Sequence, residues 1–330
     1  MKITIIGGGS WGTTLAQSLT DNGHLVLIKD VNLDFVNKIN NEHRHPFFNQ
    51  SIPESIKATL DLKLAVDFSD DIVICVPTKF TRSVLEEMNN VLNSKKTFIN
   101  VSKGIEPKTS KRVSQIVKEV IDEKYINGYV ALSGPSHAEE LINRKLTCLV
   151  SASTSDSLAK HVQLLFSNDE YLRVYTSNDV IGVETGGAIK NPIAVISGIA
   201  TGLGLGENAR AALISRGVRE IVMITETLGG NKETAYGLSG VGDLIVTASS
   251  MNSRNFKAGL RLGAGDSISE ILASSAQVVE GFRTCVSAYE IGKENNLELP
   301  LINALYNVLY NGLNVNLAIT SLMSRELKAE

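Results

Sequence analysis

Ile3-Thr4-Ile5-Ile6-Gly7-Gly8-Gly9-Ser10-Trp11-Gly12-Thr13-Thr14-Leu15-Ala16 is the stretch whose reading decides the fold. The apolar run predicts a strand over 3–6, and the helical spacing of apolar residues over 13–21 predicts a helix. Between them stands Gly7-x-Gly9-x-x-Gly12. Gly7 allows the tight turn, Gly9 lets the backbone approach a pyrophosphate, Gly12 permits close helix packing, and the helix N-terminus favours an anion. A glycine-rich turn without a ligand is the plainer alternative. The placement directly after a strand and before a helix is what favours a dinucleotide site.

Working outward, a second apolar run over 25–29 ends at Lys29-Asp30. Asp30 lies near the place where an acidic residue takes hydrogen bonds from the adenosine ribose. A carboxylate there repels the 2′-phosphate of NADP, so NAD is favoured, although Lys29 can offset this. Asp30 as a cap of the following helix stays open. Further strands are expected at 72–76, 97–101, 130–133, 148–152 and 172–175, with helices at 81–92 and 110–121. Pro77, Pro107 and Pro135 fall where strands should end. The alternation predicts an α/β, Rossmann-like, doubly wound parallel sheet over residues 1–179.

Past Asp179 the strand-like runs stop. Ala, Gly and Leu recur with helical periodicity, as over 209–228, where Leu213, Ile214, Val218, Ile221 and Val222 share a face and Gly229-Gly230 supplies the stop. An all-α domain is expected over 180–330. Ligands of doubly wound sheets sit at the carboxyl ends of the strands.

Composition narrows the partners. The chain has 330 residues, 43% of them hydrophobic, and a formal charge of -3. That length supports two cores, and the balance lacks the clustered cationic excess of a general nucleic-acid binder. Cys75, Cys148 and Cys285 are odd in number and far apart, which predicts neither disulfides nor a zinc cluster, and each is expected to fill core volume. His43-Arg44-His45 lacks a partner carboxylate or thiol pair and reads as a solvated loop, so no metal is expected. Residues 1–7 fall short of a signal peptide's apolar core, and no stretch reaches the roughly 20 apolar residues of a membrane span. A cytoplasmic protein without membrane insertion is expected.

Hydride transfer to a ketone builds negative charge on oxygen, so the site needs a proton donor and a positive environment. Lys190 stands in an apolar, glycine-rich helical stretch and is followed by Asn191-Pro192. It is either paired and working or snorkelling to solvent. Lys103 follows a predicted strand, and Gly134-Pro135-Ser136 forms a turn with a hydroxyl after another. Asp243 and Ser253-Arg254-Asn255 supply a carboxylate and a basic, hydrogen-bonding triplet. Each alone has an ordinary reading: Lys103 a surface charge, Ser136 and Asp243 helix caps, Arg254 a surface pair.

In order along the chain, GGGSWGTTLA, VSKGIE, LSGPSHAEE, the long run from Gly186 to Ile221, GLSGVGDLIVTASS, SRN and VVEGFRT closely resemble the bacterial-type NAD(P)-dependent glycerol-3-phosphate dehydrogenases. The resemblance implies a Rossmann-like domain with a helical domain, a homodimer, and an oxidoreductase interconverting dihydroxyacetone phosphate and sn-glycerol 3-phosphate for phospholipid synthesis. It implies that Lys190 is the acid/base, with Asp243 and Lys103 beside it in the catalytic set. Lys103, Gly134, Ser136, Lys190, Asp243, Ser253, Arg254 and Asn255 match its substrate positions. Gly7, Gly9, Ser10, Trp11, Gly12, Asp30, Lys103, Ala138, Arg254, Val278 and Glu280 then form the cofactor set. Arg254 suits a phosphate because a guanidinium donates two parallel bonds.

The sequence departs from the family pattern at His137, where many relatives carry an aromatic residue, and at Asp30, where NADP-using relatives carry Arg or His. Two other functions compete: a dehydrogenase for a β-hydroxyacid or 6-phosphogluconate on the same architecture, and a dinucleotide sensor without catalysis. The SRN triplet with Asp243 argues against the first, and the presence of both Lys190 and Asp243 against the second.

Overall fold

The computed structural model describes residues 1–274, 278–324 and 326. Cα packing divides them into two compact units, residues 1–103 with 111–184, and residues 104–110 with the chain from 185 onward. The boundary at 184/185 lies within the helix Val180–Gly202.

The first unit is built on eight strands: β1 (Lys2–Ile6), β2 (Leu25–Lys29), β3 (Lys57–Thr59), β4 (Asp71–Ile74), β5 (Lys96–Asn100), β6 (Ile126–Ser133), β7 (Thr147–Ala152) and β8 (Leu172–Ser177). Their spatial order is β3-β2-β1-β4-β5-β6-β7-β8. All neighbours are parallel except β6 and β7. Helices cover both faces, so the inner strands are buried on both sides rather than alternating with exposed positions: every residue of β4 and β5 is buried, including the polar Asp71, Lys96, Thr97 and Asn100. One face packs Ile3, Ile5, Val26, Ile28 and Val73, the other Ile6, Ile72, Ile74 and Phe98.

The chain runs from β1 outward to β2 and β3 in one direction and from β4 outward in the other. The reversal lies beside β1, and ligands of open parallel sheets bind at the carboxyl ends of strands at that point. The glycine turn after β1 is therefore at the switch.

Two expectations are corrected. β3 was not anticipated, because its three residues, Lys57-Ala58-Thr59, carry no apolar run; β2 alone supplies the pairing that makes them a strand. The sheet is also not wholly parallel. Between β6 and β7 the chain forms only the one-turn helix Ala138–Leu141, too little for a crossover, so β7 returns antiparallel. Pro77 and Pro135 closely follow β4 and β6, whereas Pro107 stands well beyond the end of β5.

In the second unit the described residues form helices and no strand, including Gly206–Thr227, Asp243–Ser249, Arg254–Gly263, Glu280–Glu294 and Pro300–Tyr310. Its core gathers Ile189, Ile193, Ile221, Leu244, Phe282 and Ile302. The helices Val180–Gly202 and Arg254–Gly263 meet backbone to backbone. A Cβ on Gly198 would lie 2.1 Å from the Phe256 carbonyl oxygen, and one on Gly259 would lie 2.0 Å from that of Val195. Glycines one turn on, Gly202 and Gly263, repeat the contact. No helix among the described residues is long and apolar enough to cross a membrane.

Candidate active site

In the first unit the glycine turn has the geometry its residues predict. Gly7 adopts φ 112°, and its N–H bonds the Lys29 carbonyl at 2.8 Å, tying the turn to β2. A Cβ on Gly7 would lie 2.5 Å from the Cys75 carbonyl oxygen, and one on Gly12 only 1.9 Å from that of Gly7. At Gly9 a Cβ would meet nothing within 4 Å. The helix Ser10–Asp21 starts there with no side-chain cap and no acidic residue in its first turn. An open approach to an uncapped helix start is what a pyrophosphate requires, so these residues fit a dinucleotide.

Asp30 does not cap a helix. Asn32 caps Leu33–Asn37, accepting the N–H groups of Asp34 and Phe35. The Asp30 carboxylate accepts the Gly8 N–H on Oδ2 at 2.6 Å and the Asn32 N–H on Oδ1 at 2.8 Å, which fixes it against the turn. Lys29 is buried at the end of β2. Ser10 and Trp11 are half-buried, Trp11 packing on the sheet core, and Ala138 is buried at the start of Ala138–Leu141.

The same unit brings Lys103, Gly134 and Ser136 together. Lys103 Nζ donates to the Gly134 carbonyl at 2.8 Å and to Ser136 Oγ at 3.3 Å, and Ser136 Oγ donates to the same carbonyl at 3.0 Å. Lys103 is thus no loose surface charge, and Ser136 caps no helix, that place being taken by His137. Gly134 holds φ 150°, with the Cys148 carbonyl oxygen 2.8 Å from where a Cβ would stand.

In the second unit Lys190 is 5% exposed, which removes the snorkelling alternative. Its Nζ donates to Asp243 Oδ1 at 2.7 Å and to Thr247 Oγ1 at 2.6 Å, and the Thr247 hydroxyl donates onward to Asp243 Oδ1 at 3.3 Å. Asp243 is 1% exposed, so the ammonium and carboxylate compensate each other where water is scarce. Two residues past Lys190, Pro192 stands inside the helix and removes the N–H that would bond the Ala188 carbonyl. Asp243 and Thr247 lie one turn apart on Asp243–Ser249, so both face the same ammonium.

The backbone contact described above carries the triplet into the same region. Asn255 Nδ2 donates to Asn191 Oδ1 at 2.8 Å, and Asn255 Oδ1 accepts the Gly281 N–H at 2.9 Å. Ser253 caps Arg254–Gly263, accepting the Phe256 N–H at 3.2 Å, while Arg254 is exposed at its first turn. Val278 and Glu280 are half-buried at the start of Glu280–Glu294.

Sequence reasoning missed Thr247 and the role of Asn191. A hydroxyl four residues after Asp243 was the available signal for the first. It also misread His45, which is 2% exposed rather than solvated. Among the described residues no three His, Cys, Asp or Glu cluster for a metal. Cys75 and Cys148 are half-buried rather than core, Cys285 is buried with its thiol pushed up by that burial, and none is bridged.

Two family models match the chain: NAD-dependent glycerol-3-phosphate dehydrogenase N-terminus over residues 2–159, and its C-terminus over 179–320. A glycerol-3-phosphate dehydrogenase [NAD(P)+] of Acholeplasma laidlawii is 57% identical over 330 residues, covering 100% of this chain and 99% of that one. Its counterpart in Bacillus cytotoxicus is 48% identical over 331 residues, covering 100% and 97%. The crystal structure of glycerol-3-phosphate dehydrogenase from Coxiella burnetii superposes with a TM-score of 0.93 at 32% identity, covering 98% of this chain and 99% of that one. The chain thus belongs to the NAD-dependent glycerol-3-phosphate dehydrogenase family, oxidoreductases that use NAD or NADP.

Proposed function

We propose that this enzyme interconverts dihydroxyacetone phosphate and sn-glycerol 3-phosphate, with Lys190 as the acid/base. The observation that carries the reading is the buried Lys190 ammonium held by Asp243 and Thr247. A bound nicotinamide dinucleotide supplies the hydride in one direction and accepts it in the other. The glycine turn 7–12, the uncapped helix start with Ser10 and Trp11, and Asp30 hold it, joined by Lys103, Ala138, Arg254, Val278 and Glu280.

In the reducing direction Lys190 donates a proton to the carbonyl oxygen as charge builds there; in reverse, its neutral amine takes the proton of the alcohol. Asp243 orients the ammonium and balances its charge through the cycle. Thr247, accepting from Nζ and donating to Asp243, keeps the lysine on one path. Arg254 and Asn255 bind the phosphate, the first by two parallel bonds. Lys103, Gly134, Ser136 and Ser253 complete the substrate set.

A direct assay tests the reaction. With NADH or NADPH present, absorbance at the nicotinamide band falls on addition of dihydroxyacetone phosphate. If neither cofactor is oxidised in a substrate-dependent way, the reading fails.

The cofactor side carries its own prediction. Asp30 is fixed by two backbone amides, and Lys29 is buried at the strand end. Asp30→Ala weakens NAD and favours NADP in relative terms. The ratio of kcat/KM for the two shifts about tenfold, the scale of one charged hydrogen bond. Unchanged Michaelis constants for both remove the role. The wider setting in this reading is a cytoplasmic homodimer that feeds phospholipid synthesis.

A further inference from the structure

The loop around His45 packs on the helix that follows the glycine turn, its ring reaching Ser10 and Thr14. His45 is 2% exposed, and its ring is stacked on Phe48 with centroids 4.3 Å apart. The loop closes on itself: the His45 N–H bonds the Gln50 carbonyl at 3.0 Å and the Ile52 N–H bonds that of His43 at 2.8 Å. Phe47 rests edge-on against Phe35, 5.0 Å between centroids.

The ring's surroundings decide its tautomer. Nδ1 is approached by two backbone donors, the N–H groups of Phe47 at 3.1 Å and Phe48 at 3.2 Å. A nitrogen receiving two donors is unprotonated, so the ring proton is on Nε2. Nε2 lies 3.0 Å from the Ser10 carbonyl oxygen and 3.4 Å from Thr14 Oγ1. The Thr14 hydroxyl itself donates to the Ser10 carbonyl at 2.7 Å, so His45 and Thr14 grip the same oxygen. Burial pushes the imidazole down to about 4, and the ring is neutral at neutral pH.

Ser10 opens the helix whose first turn receives the pyrophosphate in the function proposed above, and the inference rests on that reading. The direction of its carbonyl fixes the peptide plane whose far side is the Trp11 N–H, and small shifts of such donors cost affinity disproportionately. We propose that His45 is a positioning residue for the dinucleotide, its Nε2–H bond to Ser10 setting the first helical turn. It acts through Ser10 and touches no reacting atom.

Two substitutions separate the ring's jobs. His45→Asn keeps an acceptor near the Nδ1 position for the loop amides but has no donor reaching Ser10, whereas His45→Gln keeps a donor near the Nε2 position. The probe is NADH, its dissociation constant read by nicotinamide fluorescence, with Tm measured alongside. His45→Asn is expected to weaken NADH about threefold to tenfold, as for one neutral hydrogen bond. Its kcat at saturating NADH stays near the parent value, and His45→Gln recovers most of the affinity.

A second measurement needs no variant. Nitrogen-15 NMR of the cofactor-free parent protein is expected to show His45 protonated on Nε2 alone, which keeps the idea open to refutation even if His45→Asn does not fold. Protonation on Nδ1, or a folded His45→Asn that binds NADH as the parent does, overturns the inference. So does His45→Gln as weak as His45→Asn. If the parent binds neither NADH nor NADPH, the functional reading falls and the inference with it; parent binding with an unaffected variant sinks the inference alone.

Discussion

Lys190→Ala lowers kcat for dihydroxyacetone phosphate reduction by about 10²–10⁴-fold, the usual worth of a positioned general acid. At 1.36 kcal/mol per tenfold, that is roughly 3–5 kcal/mol of lost transition-state stabilisation. The substitution also strips Asp243 of its counter-charge at 1% exposure, and breaking a buried pair on one side costs about 3–5 kcal/mol of stability. Activity alone would therefore mix two effects. Lys190→Arg separates them, because a guanidinium keeps the positive charge beside Asp243 yet does not release its proton at accessible pH. Lys190→Arg is expected to retain most of the lost stability and NADH affinity while kcat stays depressed. Stopped-flow turnover, NADH titration and thermal unfolding on both variants check this. Near-parent turnover in either variant removes Lys190 from the acid/base role.

Lys190 was legible because a charge inside an apolar helical run contradicts its surroundings, and the buried pair with Asp243 resolves the contradiction. The glycine turn was legible for a related reason, since Gly7 and Gly12 at the strand-to-helix junction mark positions where a side chain would strike backbone, while Gly9 leaves the approach to the helix start open. What escaped notice depends on partners distant in sequence. β3 is a strand only because β2 offers its edge, and β7 reverses only because the chain before it is short. Gly198 with Gly202 and Gly259 with Gly263 show a four-residue spacing, but nothing in either run says that the two sets meet. His45 looked solvated because its acceptors and donors, Ser10 and the Phe47 and Phe48 amides, become neighbours only when the loop closes. The site's charged residues announce themselves one by one, whereas the residues that aim them show only through contact.

Gly12→Ala and Gly9→Ala are expected to part company, and the contrast tests the cofactor cradle itself. At Gly12 the added Cβ would stand 1.9 Å from the Gly7 carbonyl oxygen and 3.3 Å from Ile5 Cγ2, so backbone must move. Gly7 cannot yield freely, because its own N–H is bonded to Lys29 and a Cβ's breadth on its other side stands the Cys75 carbonyl. Overpacking of this kind costs about 1–3 kcal/mol, and opening the turn displaces the helix start, so Gly12→Ala loses stability and at least about tenfold in NADH affinity. At Gly9 the backbone is extended, φ −68° and ψ −172°, a conformation alanine adopts without strain, and the new methyl meets no protein atom within 4 Å. Gly9→Ala therefore keeps the parent Tm. Its methyl instead occupies the space through which a pyrophosphate approaches the first-turn N–H groups, and NADH binding drops while the fold stands. Paired Tm and NADH dissociation constants decide the matter. A Gly9→Ala protein that binds NADH as tightly as the parent means that the open face at this turn receives no phosphate, and the dinucleotide must then be held elsewhere.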